Sequence, residues 1–260
     1  MKLAWALVLL VCMHASLRGQ LAAPGDSGVA MGHLHLNSKD PEPQARFWTE
    51  VLGAKRGKFA NGDVFKLPGV LVMLRASEPS GPSEGSVVNH VGLKVRDLAA
   101  TLARVEAAQV QIVSRGAKQA MLVAPGGLRV ELTEDPAASA AVENHHIHFY
   151  TADVEKMRQW YVETFGAKPG KRGKFEAADL PGVNLSFTPA DSPPAGTKGR
   201  ALDHIGFEVK GLEAFVKKLE ARGVKFDVPY RRLPAPNLEI AFFTDPWGTY
   251  IELTEGLDRI

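Results

Sequence analysis

The polarity of the chain alternates with a strand period, then switches to a helical one, and it does so four times. His33-Leu34-His35-Leu36 alternates like a strand. Pro41 to Leu52 then reads as a helix whose apolar face is Ala45, Phe47-Trp48 and Val51-Leu52, with Gly53 ending it. His90-Val91-Gly92-Leu93-Lys94-Val95 is another strand, and Leu98 to Ala108 a second amphipathic helix. The same grammar recurs at 146–165 and 204–222. Turn-punctuated apolar runs, such as Val64-Phe65-Lys66-Leu67 and Val70-Leu71-Val72-Met73-Leu74, suit hairpin strands. The predicted order is strand, helix and three strands, four times over. Segments Ser77–Ser86 and Pro189–Gly199 are rich in Pro, Gly and Ser and read as surface loops joining these units.

The units pair into a longer repeat. Gly32-His33-Leu34-His35-Leu36 recurs as His145-His146-Ile147-His148-Phe149. Phe47-Trp48 and Gly53-Ala54-Lys55 recur as Trp160-Tyr161 and Gly166-Ala167-Lys168, and Lys58-Phe59 is matched to Lys174-Phe175. Leu67-Pro68-Gly69-Val70 matches Leu180-Pro181-Gly182-Val183, and Asn89-His90-Val91-Gly92 matches Asp203-His204-Ile205-Gly206. Both copies close on Glu-Leu-Thr-Glu, at 131–134 and 252–255. Two copies of one domain are expected, at 31–136 and 144–256, joined by the small linker Pro136 to Ala141.

The N-terminus stands apart. Met1-Lys2 is followed by an apolar run, Leu3 to Met13, of signal-peptide length, and small residues lie between Ala15 and Ala23. Residues 1–23 are expected to be a cleaved signal peptide, which makes the mature protein exported, periplasmic or extracellular. The run is short for a span of roughly 20 apolar residues, so no stable membrane insertion is expected after cleavage. Cys12, the single cysteine, lies within it behind Val11 rather than behind the small residue of a lipidation site. A cysteine-free mature chain excludes disulfides, thiolate nucleophiles and Cys-ligated zinc. A net charge of only +2 argues against nucleic acid as a partner. A small-molecule substrate is expected, and oligomerisation is left open.

The candidate chemistry lies in the histidines. His33, His90, His146 and His204 open the leading strand of each unit, and Glu131 and Glu252 lie late in each copy between apolar neighbours. On a strand with its apolar neighbours in the core, each Glu points to the other face, where a buried charge needs a partner. Imidazole and carboxylate together suit a divalent Fe, Mn, Zn, Ni or Co ion. His35 and His148 share the parity of the preceding His and are candidate catalytic acid/base groups. His145 has the opposite parity and is expected at the surface. Arg231 and Arg232 precede the last strands and are candidates for binding an anionic substrate.

His33…Asp40…Phe47-Trp48…Leu52-Gly53 and His146…Asp153…Trp160-Tyr161…Phe165-Gly166 resemble the opening module of the vicinal oxygen chelate superfamily, which includes glyoxalases, bleomycin resistance proteins and extradiol dioxygenases. Thr244-Asp245-Pro246-Trp247-Gly248 through Ile251-Glu252-Leu253 resembles its final strand. The resemblance covers nearly the whole mature chain. It implies an α+β fold of two tandem glyoxalase-like domains, each of paired βαβββ modules whose curved sheets form a cup. It maps the metal ligands onto His33, His90 and Glu131 in the first domain and His146, His204 and Glu252 in the second. In relatives with swapped modules the sets are mixed, for example His33 with His204 and Glu252.

The resemblance also orders the reaction types. Relatives of the glyoxalase I type usually supply a fourth Glu or Gln ligand, and the matching positions, near Met73 and Ser186, hold no carboxylate. A three-ligand site resembles the extradiol dioxygenases, although the stretch 231–242 has no histidine and Phe242 stands about where their tyrosine would be. The expectation is a metal-dependent enzyme acting on a small molecule through vicinal oxygens, with dioxygenase-type chemistry first. A lactoylglutathione lyase-like lyase or isomerase is second, and a metal-free binding protein third.

Overall fold

The computed structural model describes residues 21–60, 62–235 and 237–259. The leader-like run, with Cys12 and His14, lies outside the described residues. None of the described helices is long and apolar enough to cross a membrane.

Four βαβββ modules follow one another. The first is β1 (Val29–Ser38), α1 (Pro41–Arg46), β2 (Lys55–Phe59), β3 (Gly62–Leu67) and β4 (Val70–Ala76). The second is β5 (Val88–Val95), α2 (Leu98–Ala107), β6 (Gln111–Arg115), β7 (Gln119–Val123) and β8 (Arg129–Glu134). The third is β9 (Val142–Thr151), α3 (Val154–Phe165), β10 (Lys168–Arg172), β11 (Phe175–Leu180) and β12 (Val183–Pro189). The fourth is β13 (Leu202–Val209), α4 (Leu212–Ala221), β14 (Phe226–Leu233), β15 (Leu238–Thr244) and β16 (Tyr250–Glu255).

The aspartates of the repeated motif have a local job. Asp40, Asp97 and Asp153 each accept a backbone N–H of the helix they precede, satisfying a donor that the first turn leaves unpaired. The predicted helix over Pro41 to Leu52 is α1 continued by a π-helical turn at Phe47–Val51. Gly69 and Gly182, at φ +84° and +83°, turn the chain between the last two strands of their modules, a conformation that favours glycine.

The modules assemble crosswise. One eight-stranded sheet has the order β14-β15-β16-β13-β1-β4-β3-β2, and the other β10-β11-β12-β9-β5-β8-β7-β6. The first module therefore pairs with the fourth, through antiparallel β1 and β13, and the second with the third, through β5 and β9. Connection length accounts for this. The short link at 135–141 keeps the third module on the sheet that holds the second. The longer Pro/Gly/Ser segments after β4 and β12 carry the chain from one sheet to the other and hydrogen-bond to each other, Ser80 to Gly199 and Val87 to Ala195.

The inner faces of both sheets and all four helices share one apolar core, in which Trp48, Phe149, Tyr161 and Phe165 are fully buried. Each such side chain contributes about 1.5–3 kcal/mol on leaving water. Val130 and Leu132, like Ile251 and Leu253, lie in that core, so the glutamate between each pair faces the concave side.

Candidate metal centres

The crosswise pairing decides which donors meet. His33 and His35 come from β1, His204 from β13 and Glu252 from β16, and one donor atom of each lies within 4.8 Å of the others. His90, Glu131, His146 and His148 form the second such group. The partition within each sequence half, His33 with His90 and Glu131 and His146 with His204 and Glu252, is thus corrected to the mixed one. β1 lies beside β13 and within reach of β16 in one sheet, whereas β5 belongs to the other sheet.

In the first centre Glu252 Oε2 is 2.9 Å from His33 Nε2 and 3.0 Å from His204 Nε2. Burial pushes the Glu252 carboxyl up, but the two imidazoles outweigh it and hold it well below the usual carboxylate range. Behind His204, its Nδ1 meets Asp203 Oδ2 at 3.1 Å. Burial alone would lower His204, yet Asp203 and Glu252 together raise it. Burial pushes Asp203 up, but His204 and the Gly199 N–H bring it to about 2. Arg75 reaches the same aspartate at 3.4 Å, and its Nε donates to Asn37 Oδ1 at 3.0 Å. Burial, then the adjacent His204 and His33, hold His35 near 3, so it is neutral, as a ligand or base must be.

The second centre repeats the plan with changed detail. Glu131 Oε2 lies 3.1 Å from His90 Nε2 and 3.6 Å from His146 Nε2. Asn89, not an aspartate, meets His90 Nδ1 at 3.0 Å. His145, expected at the surface, is half-buried, with its Nδ1 3.1 Å from His146 Nδ1; the adjacent imidazole turns it inward. His148 Nδ1 is 3.1 Å from His90 Nε2.

These residues fit a divalent ion. Donors about 2.1 Å from a tetrahedral ion lie about 3.4 Å apart, close to the spacings above. Among the described residues, His33 Nδ1, His35 Nε2 and His146 Nε2 are buried without a hydrogen-bond partner. Gly206 and Gly92 supply the room: a β-carbon on Gly206 would lie 2.1 Å from the His33 ring, and one on Gly92 1.9 Å from that of His146. Met73 pairs with His35 and Ser186 with His148 across their strands, so a histidine of the adjacent strand lies beside each position that lacks the fourth carboxylate.

A cavity of about 560 Å³ opens over the first centre. Phe59, Met73, Leu233 and Phe242 form apolar walls, Glu252, His204 and His35 the floor, and Tyr250 and Arg231 add polar groups. Arg231 has no side-chain hydrogen bond or ion pair among the described residues. Arg232 does not enter this cavity. Successive strand residues point to opposite faces, and it pairs instead with Glu239 in a groove with Glu213 and Glu255. The adjacency of Asp203, Asn89 and His145 to ligands was visible in the sequence; their role depends on side-chain direction, which was not.

Two curved sheets, each holding three imidazoles and one carboxylate on its concave face, define a pair of cup-shaped candidate metal centres built between modules. The chain belongs to the Glyoxalase/Bleomycin resistance protein/Dioxygenase superfamily, whose family model matches residues 30–132 and 143–253. Among solved structures it is similar to glyoxalase I from Zea mays, with 17% identity over 89% of this chain and 94% of that one and a TM-score of 0.71. It is also similar to a candidate dioxygenase from Bacillus subtilis subsp. subtilis str. 168, with 16% identity over 91% and 86% and a TM-score of 0.66. At these identities the likeness is one of fold.

Proposed function

We propose that the chain is a metal-dependent lyase or isomerase of a small molecule bearing two neighbouring oxygens, with the first centre as its active site. The observation that carries this is His35, which adds a fourth donor to His33, His204 and Glu252. A four-donor set was the feature expected to separate proton-transfer chemistry from dioxygenase chemistry, and it reverses the order given by the sequence. A divalent metal held by these residues would supply Lewis acidity to the chelating oxygens and to a developing enolate.

The chain's own groups complete the site. His35 Nε2 is buried with no hydrogen-bond partner among the described residues, so its neutral imidazole can complete the donor set without breaking an existing bond. The apolar walls exclude water from the reacting carbon. Arg231 receives a carboxylate or other anionic end of the substrate at the mouth. The convergent donors speak against a metal-free binding protein. Export follows from the leader-like sequence and is proposed with this reading.

The test is turnover by protein loaded separately with Fe(II), Mn(II), Zn(II), Ni(II) or Co(II). Hemithioacetals of 2-oxoaldehydes and a panel of catechols serve as substrates, with and without dioxygen. Turnover without oxygen uptake, lost on His33→Ala/His204→Ala, is expected. Oxygen consumption with a catechol that depends on the same two histidines would replace this reading with a dioxygenase. That second reading draws support from Met73, which leaves one coordination position without a carboxylate.

A further inference from the structure

The two centres share a ligand plan but differ in charge. The strand register locates the difference. Phe59 stands opposite Gly62 across β2 and β3, and Arg172 stands opposite Phe175 across β10 and β11. Arg172 therefore occupies in the second cup the place that Phe59 occupies in the first. The apparent match of Lys58-Phe59 with Lys174-Phe175 is out of register and hides the exchange.

The Arg172 guanidinium enters the donor cluster. Its Nη2 is 3.2 Å from His148 Nδ1, its Nη1 4.0 Å from Glu131 Oε1, and its Nε donates to Ser186 Oγ at 2.7 Å. Glu131 Oε1 also accepts from Gln119 Nε2 at 3.0 Å and from Thr133 Oγ1 at 3.2 Å. The second carboxylate thus already has a cation and neutral donors around it. His148 has both ring nitrogens engaged, the other meeting Thr188 Oγ1 at 2.7 Å.

The first centre lacks these compensations. Arg75 is spent on Asp203, and among the described residues Glu252 forms no ion pair with an arginine or lysine, which leaves its charge to the two imidazoles. Asp203 behind His204 makes that imidazole a stronger donor, whereas Asn89 behind His90 is neutral. A dication brought to the first centre meets one uncompensated carboxylate. At the second it meets a fixed positive charge, and like charges a few ångströms apart in a partly buried site repel strongly.

We infer that the two centres are not equivalent: the first takes the divalent metal, and the second is a polar centre whose resident cation is the Arg172 guanidinium. This rests on the metal reading above. Metal content is measured by elemental analysis after loading with excess Zn(II) or Mn(II), and affinity by chelator competition. Wild-type chain is expected to hold one tight equivalent, lost in His33→Ala/His204→Ala and kept in His90→Ala/His146→Ala. Arg172→Phe, which copies the first cup, and Arg172→Met as a second choice should gain another equivalent at least about tenfold tighter than the second centre of wild type. Two equivalents of equal affinity in wild type, or no gain in either folded variant, would overturn the inference and leave the metal reading standing. No metal in wild type or in either variant would overturn the metal reading and the inference with it.

Discussion

Gly206 lies directly under the His33 imidazole, and a β-carbon there would be 2.1 Å from two of its ring atoms. The pair is opposed across β1 and β13, so the glycine is what lets a full imidazole lie between two strands and reach Glu252. Gly206→Ala should drive His33 out of position. Metal affinity of the first centre is expected to fall more than about tenfold, with about 1–3 kcal/mol of stability lost to overpacking. Chelator competition and urea unfolding check both figures, and unchanged metal affinity would show that His33 is not a ligand.

Asp203→Asn turns the hydrogen bond behind His204 into the neutral one behind His90. The side-chain carbonyl still accepts the Gly199 N–H, so the loop should keep its shape. Loss of the carboxylate behind a metal-bound histidine typically costs about 10- to 100-fold in metal affinity, and a loss in that range is expected here without a change in melting temperature beyond a few degrees. An affinity equal to wild type would mean that Asp203 serves only Arg75 and the loop.

Much of this was legible in the sequence, and the limits have physical causes. The alternation around each His and Glu places all six candidate ligands on a common type of face, because parity is a local property. Which candidate ligands share a cup depends on strand order set by pairings distant in sequence, such as His33 and Glu252 meeting across Gly206. Connection length, short at 135–141 and long after β4 and β12, was the signal that could have settled it. His35 and His148 followed from parity alone. Arg172 was missed because the β10–β11 turn supplies its own Lys-Phe pair, and only the ladder shows that Arg172 rather than Lys174-Phe175 continues the repeat.

Arg231 and Arg232 form a matched test of the cup. Both belong to β14, yet Arg231 lines the cavity and Arg232 pairs with Glu239 outside it. Arg231→Gln should raise KM for an anionic substrate about tenfold or more while leaving kcat within about twofold, the pattern of a group that binds substrate and transition state alike. Arg232→Gln should change neither, since a surface ion pair contributes at most about 1 kcal/mol to stability. Equal effects of the two substitutions would remove Arg231 from the site.

Glu208 is a buried acid outside both centres. It lies on β13, accepts the backbone N–H of Gly256 and Leu257 and the Thr254 hydroxyl, and is 5% exposed. Burial pushes its carboxyl up, the Gly256 N–H and Thr254 offset part of that, and it settles at about 7. An acid whose folded pKa lies above its unfolded value binds its proton more tightly when folded. The stabilisation is therefore complete below about pH 4.5 and is lost as pH rises to about 7, a change of order 3 kcal/mol. Glu208→Gln keeps an acceptor for the two N–H groups and removes the titration. Relative to wild type it should gain stability between pH 5 and pH 8, read as the difference in urea unfolding free energy at the two values. Using the difference between the two proteins cancels the opposite pH dependence of Glu131 and Glu252, whose folded pKa values are lowered. Parallel pH profiles for the two proteins would mean that Glu208 is ionised throughout and held by its hydrogen bonds alone.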